Sequence, residues 1–225
     1  MRREYLVAEG VSFAFPKGDW VIRELDLVLR RAECTVIIGE NGSGKTTLGK
    51  LFCGILRPRR GRILIDGRDS REISLGAVGR KIGYLFQNPD RQLFALSVRE
   101  ELAFALRLQG IDQAIVDQRV SRVLDRFQLG QMEGRLPQRL SQGEKQRLAL
   151  AAVMLQQPEY LILDEPTSSL DDTRRRQLSR ELKALREAGI GMLIITHDQS
   201  LVGEHAERIL RLQAGRVISD ETASP

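Results

Sequence analysis

Apolar residues along the chain follow two alternating rhythms. Short runs dense in valine, isoleucine and leucine occur at TVIIG (35–39), RILID (62–66), KIGYLF (81–86), YLILDE (160–165) and GMLIIT (191–196). Runs of this length and branching predict strands, with both faces buried where no polar residue interrupts them. Between them the spacing becomes helical. It is seen in TTLGKLFCGIL, in VREELAFALRL and AIVDQRVSRVLDRF between about 88 and 143, from Gln142 to Gln157, and in a charged stretch from Thr173 to Ala188. Such alternation predicts an α/β fold, a mostly parallel sheet covered by helices with a helical insertion. The first thirty residues differ: EYLVAEGVSFAF and WVIRELDLVLR read as antiparallel strands of a separate small sheet. There is no internal repeat, low-complexity stretch or long linker. One domain with two lobes is expected, a core over 1–87 and 158–225 and a helical subdomain over about 88–157.

Composition narrows the setting. With 225 residues, 42% hydrophobic and 29% charged, the chain can bury a sizeable core. No apolar run approaches the roughly 20 residues that cross a bilayer, and MRREYLVAEG has no secretory-signal core. Any tie to a membrane is therefore expected to go through a partner. The net charge of +5 comes mostly from arginine, clustered at RPRRGR (57–62) and DDTRRRQ (171–177). No aromatic residue is interleaved with them, so a solvated surface, or one facing anionic headgroups, is favoured over a nucleic-acid footprint. Cys34 and Cys53 lack metal or redox spacing and read as buried packing residues.

Two stretches carry chemistry for anions. GENGSGKT, Gly39 to Thr46, fits the phosphate-loop pattern and sits between an apolar strand and a helix. Gly39, Gly42 and Gly44 let the backbone curl around a β-phosphate, with Glu40, Asn41 and Ser43 completing the loop. Lys45 can reach β- and γ-phosphate oxygens, the Thr46 hydroxyl can ligate Mg²⁺, and Thr47 suits an α-phosphate. YLILDE ends a buried strand in Asp164, able to hold magnesium through water, and Glu165, suited to take a proton from an attacking water. Strand ends also deliver His197 (IITHD) toward the γ-phosphate and Gln87 (GYLFQ) toward both magnesium and water. The second stretch is LSQGEKQR, Leu140 to Arg147, which reads as a helix start built to hold an anion.

These pieces, in this order, resemble the ATP-binding cassette ATPases over essentially the whole chain. The resemblance implies a P-loop NTPase fold, with a RecA-like parallel core, an N-terminal antiparallel β-subdomain and an inserted α-helical subdomain. It implies ATP and Mg²⁺ as ligands, and a head-to-tail dimer with a second copy or a paralogous ATPase. In that arrangement Ser141, Gln142, Gly143 and Glu144 complete the partner's pocket, with Ser141 and the Gly143 amide on its γ-phosphate, while Ser168–Asp171 lies across the interface. The family's adenine-stacking position falls on Phe15, with Phe13 the competing choice and more suited to the core; ATP over GTP is a family expectation. The signature departs from LSGGQ at Gln142 and Glu144. The acid could weaken phosphate binding or turn toward the positive helix end.

FQNPDRQLF and the following VREELAFA look like the ATPases of energy-coupling-factor importers, which take up vitamins and transition-metal ions. That likeness implies a transmembrane coupling subunit, a substrate-binding membrane subunit, a peripheral position on the cytoplasmic membrane face, and no nucleic acid. Leu93 and Phe94 then suit either a docking surface or packing in the helical lobe. Many relatives continue past the last strand, so this chain, stopping at Pro225, is expected to be compact or to lack regulation by such a segment. A soluble cassette acting on nucleic acid or ribosomes is the alternative that a pI of about 9.5 keeps open. A P-loop kinase would leave LSQGE, Glu165 and His197 without a joint role.

Overall fold

The computed structural model describes residues 3–223. Strands β1 (Glu4–Ala14) and β2 (Trp20–Arg30) pair antiparallel around a turn at 15–19. Strands β4 (Arg60–Ile65) and β5 (Arg68–Asp69) extend this sheet in the order β2-β1-β4-β5. The run at 62–66 thus joins the antiparallel sheet, although its composition matches that of the parallel core strands. Pairing across the chain, not local sequence, decides which sheet a strand enters.

The second sheet is built from β3 (Cys34–Ile38), β6 (Ile82–Leu85), β7 (Tyr160–Asp164), β8 (Gly191–Ile195), β9 (Arg208–Gln213) and β10 (Arg216–Thr222). Its order is β10-β9-β3-β8-β7-β6, parallel except for β10, which runs antiparallel on β9. The helices are α1 (Lys45–Phe52), α2 (Leu75–Lys81), α3 (Val98–Leu108), α4 (Gln113–Arg126), α5 (Gln142–Leu155), α6 (Asp172–Glu187) and α7 (Gln199–His205). Helix α1 is shorter than its apolar pattern predicts. It stops at Phe52 and the chain turns through Gly54 at φ 73.

Why β7 is apolar without interruption is visible in its neighbours. Tyr160 and Ile162 face a cluster with Leu48, Leu51 and Phe52 of α1, sandwiched between the two sheets. Leu161 and Leu163 face the opposite cluster, with Leu102, Val120 and Leu148 of α3, α4 and α5. Burial on both faces removes the polar alternation of a half-exposed strand. The helical lobe therefore shares a core with the sheet instead of hanging from it. Parallel strands with helices on both faces bring β3, β7 and β8 to one carboxyl edge, and the loops leaving that edge hold the polar residues singled out above. No helix among the described residues is long and apolar enough to cross a membrane.

Candidate active site

The loop from β3 to α1 wraps the start of α1. Gly42 and Gly44 sit at φ 81 and 106, conformations that side-chain-bearing residues rarely adopt. Gly39 has a different reason to be glycine: a Cβ there would lie 2.2 Å from the Leu212 carbonyl oxygen of β9. Its smallness serves packing against the neighbouring strand as well as the curl. Lys45 Nζ donates to the carbonyls of Gly39 and Glu40, at 2.7 and 2.8 Å, so the ammonium lies folded across the loop's own entrance. Burial lowers the Lys45 pKa while the charges of Glu165 and Asp164 oppose that shift. A cation held there, close to two carboxylates, can transfer its hydrogen bonds to phosphate oxygens.

Phe15, Asn41, Gly42, Gly44, Lys45, Thr46, Thr47, Gln87, Asp164, Glu165 and His197 line one open cleft of about 500 Å³, together with Val21 and Ile195. Phe15 stands 46% exposed over this cleft, whereas Phe13 is buried beneath it and meets its ring edge-on. The geometry separates the two phenylalanines: only Phe15 can offer a face to a base. Ser43 is buried behind the loop, and Glu40 contributes its carbonyl to Lys45.

At the end of β7, Asp164 is almost wholly buried, and its Oδ2 accepts a hydrogen bond from the Tyr84 hydroxyl at 3.2 Å. Its Oδ1 is buried without a hydrogen-bond partner among the described residues. Burial raises the Asp164 pKa; the Thr46 and Tyr84 hydroxyls and the Lys50 and Lys45 charges act against it. An orphaned carboxylate oxygen near a threonine hydroxyl, on a cleft also lined by the Gln87 amide, is a set of hard oxygen donors. It fits a magnesium-sized cation.

Glu165 follows with its backbone at φ 48, the left-handed region, held by a 2.8 Å bond from its N–H to the Ile195 carbonyl. That conformation turns its carboxylate into the cleft. Oε1 lies 3.4 Å from His197 Nε2, and Oε2 accepts from the Thr196 hydroxyl at 3.5 Å. Burial raises the Glu165 pKa, more than the nearby His197 and Lys45 lower it. A carboxylate whose proton affinity is raised above the ordinary is suited to accept a proton from water.

The remaining residues of interest lie outside this cleft. Ser141 caps α5 through a reciprocal capping box: Glu144 Oε2 accepts from the Ser141 N–H at 2.7 Å and from its hydroxyl at 2.8 Å. The Glu144 carboxylate thus turns back on the helix start, which holds its pKa below the ordinary range. Gln142 donates to Asp90 at 3.3 Å and Lys145 to the same carboxylate at 2.7 Å. Gly143 is glycine where a Cβ would lie 3.1 Å from Arg174 Nη1 and 3.3 Å from the Ser169 carbonyl. The signature helix and the Ser168–Asp171 loop therefore pack as one surface.

Sequence reasoning passed over Tyr84, Thr196 and Asp90. Tyr84 and Thr196 directly precede or flank strand ends already singled out, a usable signal; Asp90 lies within FQNPDRQLF, but its partners Gln142 and Lys145 are far along the chain. The structure also gives the arginine clusters partners within the fold. Arg59 bonds the Ala14 carbonyl, Arg60 lies 5.2 Å over the Trp20 ring, and Arg62 bonds Glu9. An aromatic residue does accompany the basic run, brought there by the pairing of β1 with both β2 and β4. Arg174, Arg175 and Arg176 likewise have local partners in Asp171, Asp198 and Thr173.

Comparison with known proteins agrees with this geometry. Residues 22–168 match the family model described as ABC transporter. A Pyrococcus furiosus protein named as an ABC transporter ATP-binding protein is 40% identical over 209 residues, 93% of this chain and 80% of the relative. The energy-coupling factor transporter ATP-binding protein of Symbiobacterium thermophilum is 38% identical over 229 aligned positions, 96% of this chain and 79% of that one. Of two other curated relatives, from Caldanaerobacter subterraneus and Methanosarcina acetivorans, the chain spans only 37% and 35% of the length. Among solved structures, cbiO1 of Clostridium perfringens superimposes with a TM-score of 0.83 at 32% identity, covering 98% of this chain and 89% of that one. It is described as part of the ABC transporter complex cbiONQ.

Proposed function

The chain belongs to the ABC transporter family of ATPases, and from that premise we propose that it powers a membrane importer of the energy-coupling-factor type as one half of a head-to-tail pair. The carrying observation is a division of labour. Lys45, Thr46, Asp164, Glu165, His197 and Gln87 share one cleft, while the Ser141 helix start lies on a different part of the surface. A pair of chains supplies each cleft with its partner's Ser141 and Gly143 amide, and so encloses two ATP molecules.

Within each cleft the loop amides and Lys45 grip the phosphates, and the Phe15 face stacks on the base. Magnesium would be held by Thr46, Asp164 and Gln87 and, when bound, neutralises charge on the phosphates. Glu165 accepts the proton of the attacking water, and His197, beside it, donates to the γ-phosphate. Loss of that phosphate removes what bridges the halves, so the pair opens.

The docking surface for a membrane subunit divides the two residues considered earlier. Leu93 is buried in the helical lobe, whereas Phe94 is 58% and Leu96 81% exposed. Phe94 packs edge-on against Phe104 of α3, and buried Glu101 accepts from the N–H groups of Phe94 and Ala95 at 2.8 Å each. A rigid, exposed apolar edge suits an apolar helix of a coupling subunit. This reading places the chain at the cytoplasmic membrane face, with a vitamin or transition-metal ion as cargo of the other subunits. The nucleic-acid alternative rests on the basic charge alone, and three of the clustered arginines, Arg62, Arg174 and Arg175, already face carboxylates within the chain.

The test is Glu165→Gln. It leaves ATP binding within about twofold of wild type, abolishes turnover, and traps dimers with Mg-ATP in light scattering. Wild-type hydrolysis by this variant removes the assigned base. Monomers alone, at high protein and Mg-ATP concentration, remove the shared pocket.

A further inference from the structure

Between the signature helix and His197 runs a series of contacts that the mechanism above does not use. Gly143 packs against the Ser169 carbonyl. One residue on, the Leu170 carbonyl accepts a 3.1 Å bond from Arg175 Nε. The same guanidinium places Nη1 3.8 Å from Asp198 Oδ2. Asp198 caps α7, accepting from Ser200 N, and its own N–H donates to Thr196 Oγ1 at 3.0 Å. That hydroxyl donates in turn to Glu165 Oε2 at 3.5 Å. His197 sits between Thr196 and Asp198, so both its neighbours belong to this network.

We infer that Arg175 is a positioning residue for hydrolysis: by joining the Leu170 carbonyl to the Asp198 carboxylate, it locks the Ser168–Asp171 loop to the segment that carries His197 and orients Glu165. The inference deepens the function proposed above and rests on it, since it needs the loop to face a partner. When the pair closes, pressure on that loop reaches His197 and Glu165 through a single planar cation. Arginine suits this task because its fork serves two acceptors at a fixed separation. A brace for the fold alone is a poorer account. The Arg175 side chain is 46% exposed, and exposed ion pairs add little to stability. Helices α6 and α7 already meet through a partly buried contact, Ser179 Oγ to His205 Nε2 at 2.8 Å.

The experiment compares wild type, Arg175→Ala, Arg175→Lys, Asp198→Asn and the double variant Arg175→Ala/Asp198→Asn, with Glu165→Gln as control. Asparagine keeps an acceptor for the α7 cap, so Asp198→Asn isolates the charge. Arg175→Ala is expected to lower kcat at least tenfold, with KM for ATP within twofold and Tm unchanged within error. Arg175→Lys recovers at least a third of the wild-type rate, and the double variant is no slower than the slower single one. An unchanged kcat in Arg175→Ala overturns the inference. So does a fall in kcat matched by a fall in Tm, or full additivity of the two substitutions. If the alanine variant fails to fold, the lysine variant and Asp198→Asn decide: both at wild-type kcat also overturns it. The control separates the two levels. If Glu165→Gln is inactive while Arg175→Ala turns over normally, only the clamp falls; if Glu165→Gln is active, the catalytic assignment itself falls.

Discussion

Burial acts on the two carboxylates at the end of β7 in the same direction, raising the pKa of Asp164 and Glu165 above their ordinary values of 3.8 and 4.5. For Glu165 the folded chain then holds its proton more tightly than the unfolded one. Its stabilising contribution is fully present below pH 4.5 and is lost as pH rises through the higher folded value. Where Glu165 is ionised, its burial weakens the fold. Glu165→Gln is therefore expected to melt above wild type at pH 7, with the gap closing toward pH 4.5; Tm measured across that range checks it. Activity has the opposite need, since a base must be ionised. The acid limb of kcat/KM is expected above 4.5, and a limb at or below that value would show that another group takes the proton. Much of this site was legible in the sequence because its residues sit at fixed steps from strand ends: Asp164, Glu165, His197 and Gln87 need only their strands to be parallel. Phe15 came from the family resemblance alone, with Phe13 left as the competing choice; the burial of Phe13 separates them in the folded chain. What could not be read was rotamer and partner. Whether Glu144 faces phosphate or its own helix depends on the Ser141 backbone conformation, which only the folded capping box defines.

At the scale of elements, α5 shows one sequence meeting two demands. Its first turn is a capping box, a device that stabilises helix starts, and in the proposed pair it is also the surface offered to a partner. Ser141→Ala should cost about 1 kcal/mol of stability for the lost cap, measured by urea unfolding. In the Glu165→Gln background it should also reduce ATP-trapped dimers more than that small loss explains. Ser141→Thr, which keeps the hydroxyl, should show neither effect to the same extent. Strands β9 and β10 were not legible as core elements. RILRLQ and RVISDET alternate apolar with charged residues, and their surroundings look like surface. Their place beside β3 is set by parallel pairing of Thr35 with Arg208 and Val36 with Ile209, partners separated by most of the chain. Helix α2 escaped notice because its two glycines weaken the helical signal; the Ser74 cap and contact with β6 sustain it.

The proposed pair joins two surfaces of the molecule, the cleft and the Ser141 helix start, which does not line that cleft. Turnover per chain is accordingly expected to rise with protein concentration and then level off, as a dilution series of ATPase assays would show; a constant rate at every dilution would remove the shared pocket. The helical lobe packs against one face of the sheet, where Leu161 and Leu163 of the strand that ends in Asp164 and Glu165 belong to its core. At Glu165 that strand leaves in a left-handed turn, which glycine adopts more easily than glutamate. A single base change turns either glutamate codon into a glycine codon, GAA to GGA or GAG to GGG, and would relieve the backbone and delete the proposed base together. Inactive but soundly folded descendants thus lie a single mutational step away, and a duplicated gene could drift into a pair with one working and one silent pocket without first losing its shape.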